Sequence, residues 1–556
     1  MTTADLSADV LQDPQDVERE ASDAEVTEQP AQDPIDELAE FIIDLAEVPM
    51  SWWAVAALLE SRGLRDVDAV EKYNKRSIFD LAQTVHRRCL DTIAEKDEPY
   101  KLPDPPSKVS IINDFLRYYI KGTVFALPMA GQIAAILVLR YSLWAWLDFS
   151  VMQASLVAIG TIGSFVITGG VVQAIGREGT FYNGQNNPIL LEAVCIRLVA
   201  GGLIAAALVA IGACLLNMIM PYFAMWQLFI VMLYFCLLTP LWLILAILYM
   251  MTDNLAILLA TLFGTLGVHV VMQLVAQDIH LAHTVGLIMG TASAVGWGYF
   301  RIVTRKTKAE KKHHLAKLPR PSILSFIVEP FVIYGTLYFT LLFVDRIVGW
   351  SASDHRLPVV VWFRTAYELG MDWGLLSLVL TFAVLEYTVN RFNGIIIPVQ
   401  QSTFAIDYDA HNKQFLRFYI QQNIILGIIG VASIFLTYFL VLQLRQFDEI
   451  QEIRDFFASP ITYFVFWCSS FAYLLLAFAL LNALFFFSLA KPFIVVRCIT
   501  ISVLVDIFVG YILSRMISYE YAVFGLIAGC GVFAYLMIQE AIVMFRNLDY
   551  YYYSAF

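Results

Sequence analysis

The ionisable side chains with the greatest chemical potential in this chain lie inside or beside long apolar runs. They are Asp345 and Arg346 in LLFVDRIVGW, Glu368 and Asp372 in AYELGMDW, Glu386 in LEYTVNRF, Glu192 and Arg197 in LLEAVCIRLVA, and Arg497 and Asp506 in VRCITISVLVD. A charge is costly in an apolar medium unless it meets water, a partner or a passing ligand, so each marks a cavity, an ion pair or a substrate path. Glu368 and Asp372 are four apart and share one helix face. Arg497 and Asp506 are nine apart, on roughly one side of a helix but more than two turns apart. Asp506 sits deep enough in its run that a solvated face is a poor explanation, and a cavity or buried partner is expected. A row of such charges suits the path of a hydrophilic or anionic substrate. An outer-interface salt-bridge cluster is the alternative for residues 345–372, as is snorkelling to the surface for Glu192 and Arg197. His269, in mid-span, reads as a hydrogen-bonded packing residue rather than a proton relay.

Other chemistry is missing from the pattern. There is no GxxxxGK[ST] phosphate loop, so the chain is not its own ATP motor. No catalytic constellation is present, which argues against an enzyme, and the largely helical or disordered residues ahead of the first span leave no room for a glycosyltransferase fold. The seven cysteines lack metal-ligand spacing, and all but Cys89 fall within apolar segments, so they read as packing residues. No cofactor, metal site or nucleic-acid partner is expected.

The elements that must hold these residues are membrane helices. The chain is 59% hydrophobic and 15% charged, too apolar for a soluble fold. A hydrocarbon core of about 30 Å needs about 20 apolar residues per helix. Spans are expected at 122–145, 151–175, 191–216, 227–250, 254–276 and 282–302, and after a basic segment at 323–347, 371–390, 419–442, 461–487, 493–514 and 521–544. The reading is an all-α polytopic membrane protein with about twelve transmembrane helices in two six-helix bundles, 111–302 and 323–556. The joint, 303–322, sits in the densest positive run, RIVTRKTKAEKKHHLAKLPR. With the N-terminus inside, nineteen Lys and Arg fall at cytoplasmic ends against seven outside, so both termini are expected in the cytoplasm.

Ahead of the bundles, residues 1–35 form an acidic tail too poor in apolar residues to order itself. Residues 36–110 show apolar residues at helical spacing and read as a small cytoplasmic helical region. Its Trp52 and Trp53 read as a packing or membrane-surface contact. No cleavable leader is expected. The tail Tyr550–Tyr553 is expected at the inner interface.

Two sixes joined by a basic loop resemble the superfamily of multidrug, oligosaccharidyl-lipid and polysaccharide exporters. More specifically, LYFTLLFVDRIVGW followed by AYELGMDWGLLSLVLTFAVLEYTVNRF, spanning Leu337–Phe392, resembles the Pel exopolysaccharide exporter (PelG-type) pattern, in which an Asp-Lys pair precedes an apolar-Trp element. Arg346 stands where that family has Lys, Tyr367-Glu368 where it has Tyr-Asp, and Glu386-Tyr387 where it has Glu-Thr. ITGGVVQAIGREGTFYNGQ, Ile167–Gln185, is similar to the family's second-helix exit without its basic-Tyr start. The resemblance implies a bacterial inner-membrane flippase or exporter moving a carbohydrate polymer outward by alternating access, beside a cytoplasmic glycosyltransferase and accessory membrane subunits. A partly deacetylated aminosugar polymer is cationic, and Asp345, Glu368, Asp372, Glu386 and Asp506 would suit it. Two rivals remain: an exporter of lipid-linked oligosaccharide or drugs, and a non-transporting membrane scaffold for a polysaccharide synthase.

Overall fold

The computed structural model describes residues 34–46, 51–94, 117, 127–185, 187–275, 278–309, 320–352, 361–402, 408–444 and 459–554. The acidic tail, residues 1–33, lies outside the described residues, as does most of the basic joint. Among the described residues there is no strand, only one isolated bridge, Tyr141 with Trp146.

Four short helices come first: α1 (Pro34–Ala46), α2 (Trp52–Ser61), α3 (Asp66–Tyr73) and α4 (Ile78–Ala94). They bury one apolar face each, with Ile42, Leu59, Leu81 and Val85 fully covered. Ser51 caps α2, accepting from the Ala54 amide at 3.3 Å, as its hydroxyl replaces a missing intrahelical acceptor. Asp36 on α1 accepts both arms of Arg88 on α4, Nη2 at 3.1 Å, and this hydrogen bond holds its carboxyl below the usual carboxylate range.

The membrane part follows as α5 (Leu127–Leu139), α6 (Val151–Gly184), α7 (Pro188–Ile219), α8 (Met225–Met250), α9 (Asn254–Leu274), α10 (Ile279–Ala309), α11 (Pro321–Trp350), α12 (Thr365–Ser402), α13 (Tyr408–Leu444), α14 (Pro460–Ser488), α15 (Pro492–Met516) and α16 (Val523–Arg546), then a tail helix α17 (Leu548–Tyr553). Eleven of these, α6 to α16, are long and apolar enough to cross a membrane. Of the first expected span, 122–145, residues 122–126 lie outside the described residues and the helix covers Leu127–Leu139. It stops short of 145 because Arg140 takes a left-handed φ of 69° and pairs with Asp148 at 2.8 Å, and the chain then turns through Ser142–Trp146. Several other helices overrun the expected spans, α6 to Gly184 and α12 from Thr365, because helices continue past the apolar stretch that hydropathy detects.

Since lipid tails are as apolar as the side chains, close fit rather than transfer from water holds such helices together. The halves meet along α6 and α11 at glycines: a Cβ on Gly335 would lie 2.7 Å from Gln173 Cγ, and one on Gly170 would lie 2.9 Å from Val332 Cγ1. Phe165 of α6 stacks on Phe339 and Phe343 of α11, ring centres 5.3 and 5.7 Å apart. In the second half α14 lies at the centre, with Val465, Ala472, Tyr473, Leu476, Phe485 and Phe486 fully covered. The tail helix folds back on the N-terminal helices: Tyr550 meets Trp53 edge-on at 6.3 Å, Trp52 and Trp53 stack at 4.0 Å, and Lys491 Nζ donates to the Ser554 carbonyl at 3.1 Å. The two tryptophans therefore serve packing. Burial lowers the Lys491 ammonium, with nearby Glu60 opposing.

Candidate functional site

Three helices bring the second-half charges together. Asp345 and Arg346 lie one turn from the end of α11, at 0% and 5% exposure, and α12 opens beside them with Tyr367 and Glu368. Arg346 Nη1 donates to Glu368 Oε2 at 2.5 Å and to Asp372 Oδ1 at 2.8 Å. The four-residue spacing of Glu368 and Asp372 lets one guanidinium nitrogen meet both. Glu368 Oε1 accepts from Trp350 Nε1 at 2.7 Å, and Asp345 Oδ2 accepts from the Tyr367 hydroxyl at 2.6 Å. Trp350 is thus buried, its indole N–H held by Glu368.

The third helix is α15. Asp506 is fully buried and interacts electrostatically with Asp345. Its carboxylate presses on α16, where Cβ atoms at Gly525 and Gly529 would lie 2.7 Å from Asp506 Oδ1 and Cβ respectively. Neither oxygen of Asp506, nor Asp345 Oδ1, has a hydrogen-bond partner among the described residues. Glu368 and Asp372 share the guanidinium of Arg346, while Asp506 has no donor and Asp345 has a single phenol. Buried polar groups are normally paired, so these oxygens, like Nε and Nη2 of Arg346, are exceptions to that rule.

The rest of the expected path does not converge here. Asp372 is the exposed member of the cluster, its side chain 65% exposed. Glu386 lies about five turns along α12 from Glu368 and accepts from Asn390 Nδ2 at 2.9 Å, near Tyr249 of the first half. Arg497 is not joined to Asp506; it is exposed and ion-paired with Glu540 of α16, a partner the sequence pattern did not reveal. Glu192, partly buried, and Arg197, exposed, lie on α7 in the other half. Arg364 and Arg515 close the rim: Arg515 donates to the Val348 and Ser351 carbonyls at 2.9 Å each, satisfying the open end of α11.

A second polar group, overlooked in the sequence, occupies the first half. The Tyr234 hydroxyl contacts Nδ1 of His283 at 2.6 Å and of His280 at 3.2 Å, with Gln153 beyond His280. The signal was HLAH at the start of an apolar run. His269 bonds to the Tyr141 hydroxyl at 2.8 Å. No cluster of three or more His, Cys, Asp or Glu suited to a metal ion occurs among the described residues.

No protein-family model matches the sequence, and neither does any curated protein. Solved structures do match in shape. An outward-facing multidrug resistance MATE family transporter of the MOP superfamily superposes with TM-score 0.53 at 12% identity, covering 78% of this chain and 96% of that one. The chain has the MATE transporter fold. A mutant of the Vibrio cholerae MATE transporter VcmN gives TM-score 0.54 at 12% identity over 80% and 99% of the two chains. A MOP superfamily transporter from Pyrococcus furiosus, described as having a binding pocket of reverse polarity, gives 0.52 at 12% over 78% and 96%. At these identities the likeness is one of MATE fold.

Proposed function

We propose that this chain is a multi-pass exporter that moves a carbohydrate polymer across the bacterial inner membrane by alternating access, with both termini in the cytoplasm. The observation that carries the reading is the pair of buried carboxylates, Asp345 and Asp506, with unpartnered oxygens beside the Arg346–Glu368 ion pair. A carboxylate held away from water without donors is a place for a cation to reside. That cation is either a coupling ion or the ammonium of a partly deacetylated aminosugar. Binding there in one state of the two halves and not in the other would bias their equilibrium, as coupling requires.

The polymer reading is supported by the PelG-type pattern, whose Asp345-Arg346, Tyr367-Glu368 and Trp350 are the residues that meet in this cluster. The N-terminal helices packed on the tail provide a surface for a cytoplasmic glycosyltransferase at the end of the bundle where the polymer would enter. Expulsion of cationic drugs is the second reading, favoured by the MATE fold.

Secreted polysaccharide is measured from cells carrying Asp345→Asn, Glu386→Gln or Asp506→Asn, with membrane protein level checked in parallel and efflux of an organic cation dye measured beside it. Lost secretion at normal protein level supports polymer export. Normal secretion with lost dye efflux replaces it with drug export, and no change in either leaves a scaffold.

A further inference from the structure

The outer surface of the first half carries a groove that neither the halves' interface nor the acidic cluster uses. It lies between α9 and α10 and encloses about 510 Å³, within the ~300–1,000 Å³ range of ligand clefts. Its floor is small and buried, Ala256 and Ala260 at 5% and 4% exposure, and its walls are the exposed Phe263, Leu266 and Trp297. At Gly264, Gly286 and Gly290 the two helices close together, a Cβ on Gly264 lying 2.8 Å from the Gly286 carbonyl oxygen. Short side chains at Ala256, Ala260 and Ser293 leave the trough open next to that contact.

One end of the groove is polar. Trp297 Nε1 donates to Asp253 Oδ2 at 2.9 Å, and Arg301 Nε lies 3.0 Å from the same oxygen, its side chain 41% exposed. From Ala256 to Leu266 the groove follows ten residues of α9, about 15 Å at 1.5 Å per residue. That is half of a ~30 Å hydrocarbon core, the depth of one leaflet.

We infer that this groove is a site for an anionic phospholipid of the leaflet on the side of the basic joint, with one acyl chain lying over Ala256 and Ala260 and the headgroup phosphate at Arg301. Length selects an acyl chain, since the trough ends where one leaflet ends. Charge selects the headgroup, since Arg301 stands at the polar end of the groove. Asp253 holds Arg301 at the rim and keeps it from swinging along α10.

The test uses the full chain in nanodiscs and bromine-labelled lipid, which quenches only tryptophans it touches. The signal is the quenching seen in the parent and missing in Trp297→Phe, compared between dibrominated phosphatidylglycerol and dibrominated phosphatidylcholine. An excess of phosphatidylglycerol over phosphatidylcholine of about five-fold is expected, the effect of one cation near an anionic lipid. The double variant Asp253→Asn with Arg301→Gln, which leaves no unpaired charge, brings the ratio to about one, and Arg301→Lys keeps it. Ala260→Phe fills the trough and lowers the Trp297 signal for both lipids. Equal quenching by the two lipids in the parent would show an ordinary lipid-facing surface and overturn the site. So would a preference that survives the double variant.

Discussion

The guanidinium of Arg346 on α11 is held by Glu368 on α12 at 2.5 Å, in a setting where both side chains are about 95% buried. Removing one partner of such a pair leaves the other charge uncompensated. Arg346→Ala is expected to cost about 3–5 kcal/mol, read as a lower melting temperature in detergent. Arg346→Met combined with Glu368→Leu should regain most of that stability and still not transport. A double variant as unstable as the single one would mean that shape, not charge, is what the pair supplies.

Asp506 behaves differently, having no donor to lose. Asp506→Asn keeps the shape against Gly525 and Gly529, so melting temperature should hold or rise. Export should fall about ten-fold or more, equivalent to ~1.4 kcal/mol in the barrier. Retained export would remove Asp506 from the transport path.

Contact between the halves depends on the absence of a side chain at Gly335. Gly335→Val should push α6 from α11 and destabilise by about 1–3 kcal/mol. Crosslinking between cysteines introduced on the two helices should drop together with stability. An unchanged crosslink would show that the glycine contact does not govern the halves' approach.

In the N-terminal helices Cys89 is fully covered, and its thiol hydrogen points to the Ala39 carbonyl at 3.6 Å. Burial pushes the thiol up to about 12. Because the folded value lies above the unfolded one, the stability this contributes is complete below the unfolded value near 9 and falls away as pH rises from there toward 12. At pH 8 alkylation of Cys89, followed by peptide mass spectrometry, should therefore be slow until denaturant opens the domain. Rapid labelling in the native protein would mean that these helices are open in solution.

Tyr550 packs edge-on to Trp53 and ties the tail to the N-terminal helices. Tyr550→Ala should cost about 0.5–1.5 kcal/mol of that docking, detected as faster proteolysis between residues 94 and 127. Unaltered proteolysis would place the docking energy elsewhere in the tail.

Hydropathy made the bundle legible: eleven of the twelve expected spans coincide with helices long enough to cross a membrane, because a helix in lipid must satisfy its own backbone and so announces itself as a continuous apolar run. Asp345, Arg346, Glu368 and Asp372 were legible as a group because they are close in sequence on consecutive helices. Arg497 and Asp506, more than two turns apart along one helix, have separate surroundings. Arg497 goes to Glu540 and Asp506 toward Asp345, each across to another helix.

By itself, then, the sequence determined which segments are helical, which are apolar enough to span, and which charges they carry, since these depend on local composition and a fixed rise per residue. Only the tertiary structure decided that one nitrogen of Arg346 meets two carboxylates, that Trp350 is buried as a donor, and that Asp506 has none. Those outcomes depend on the rotation of each helix about its axis and on glycines such as Gly525 and Gly529 that let a neighbour approach, and neither is written in the hydropathy of a single segment.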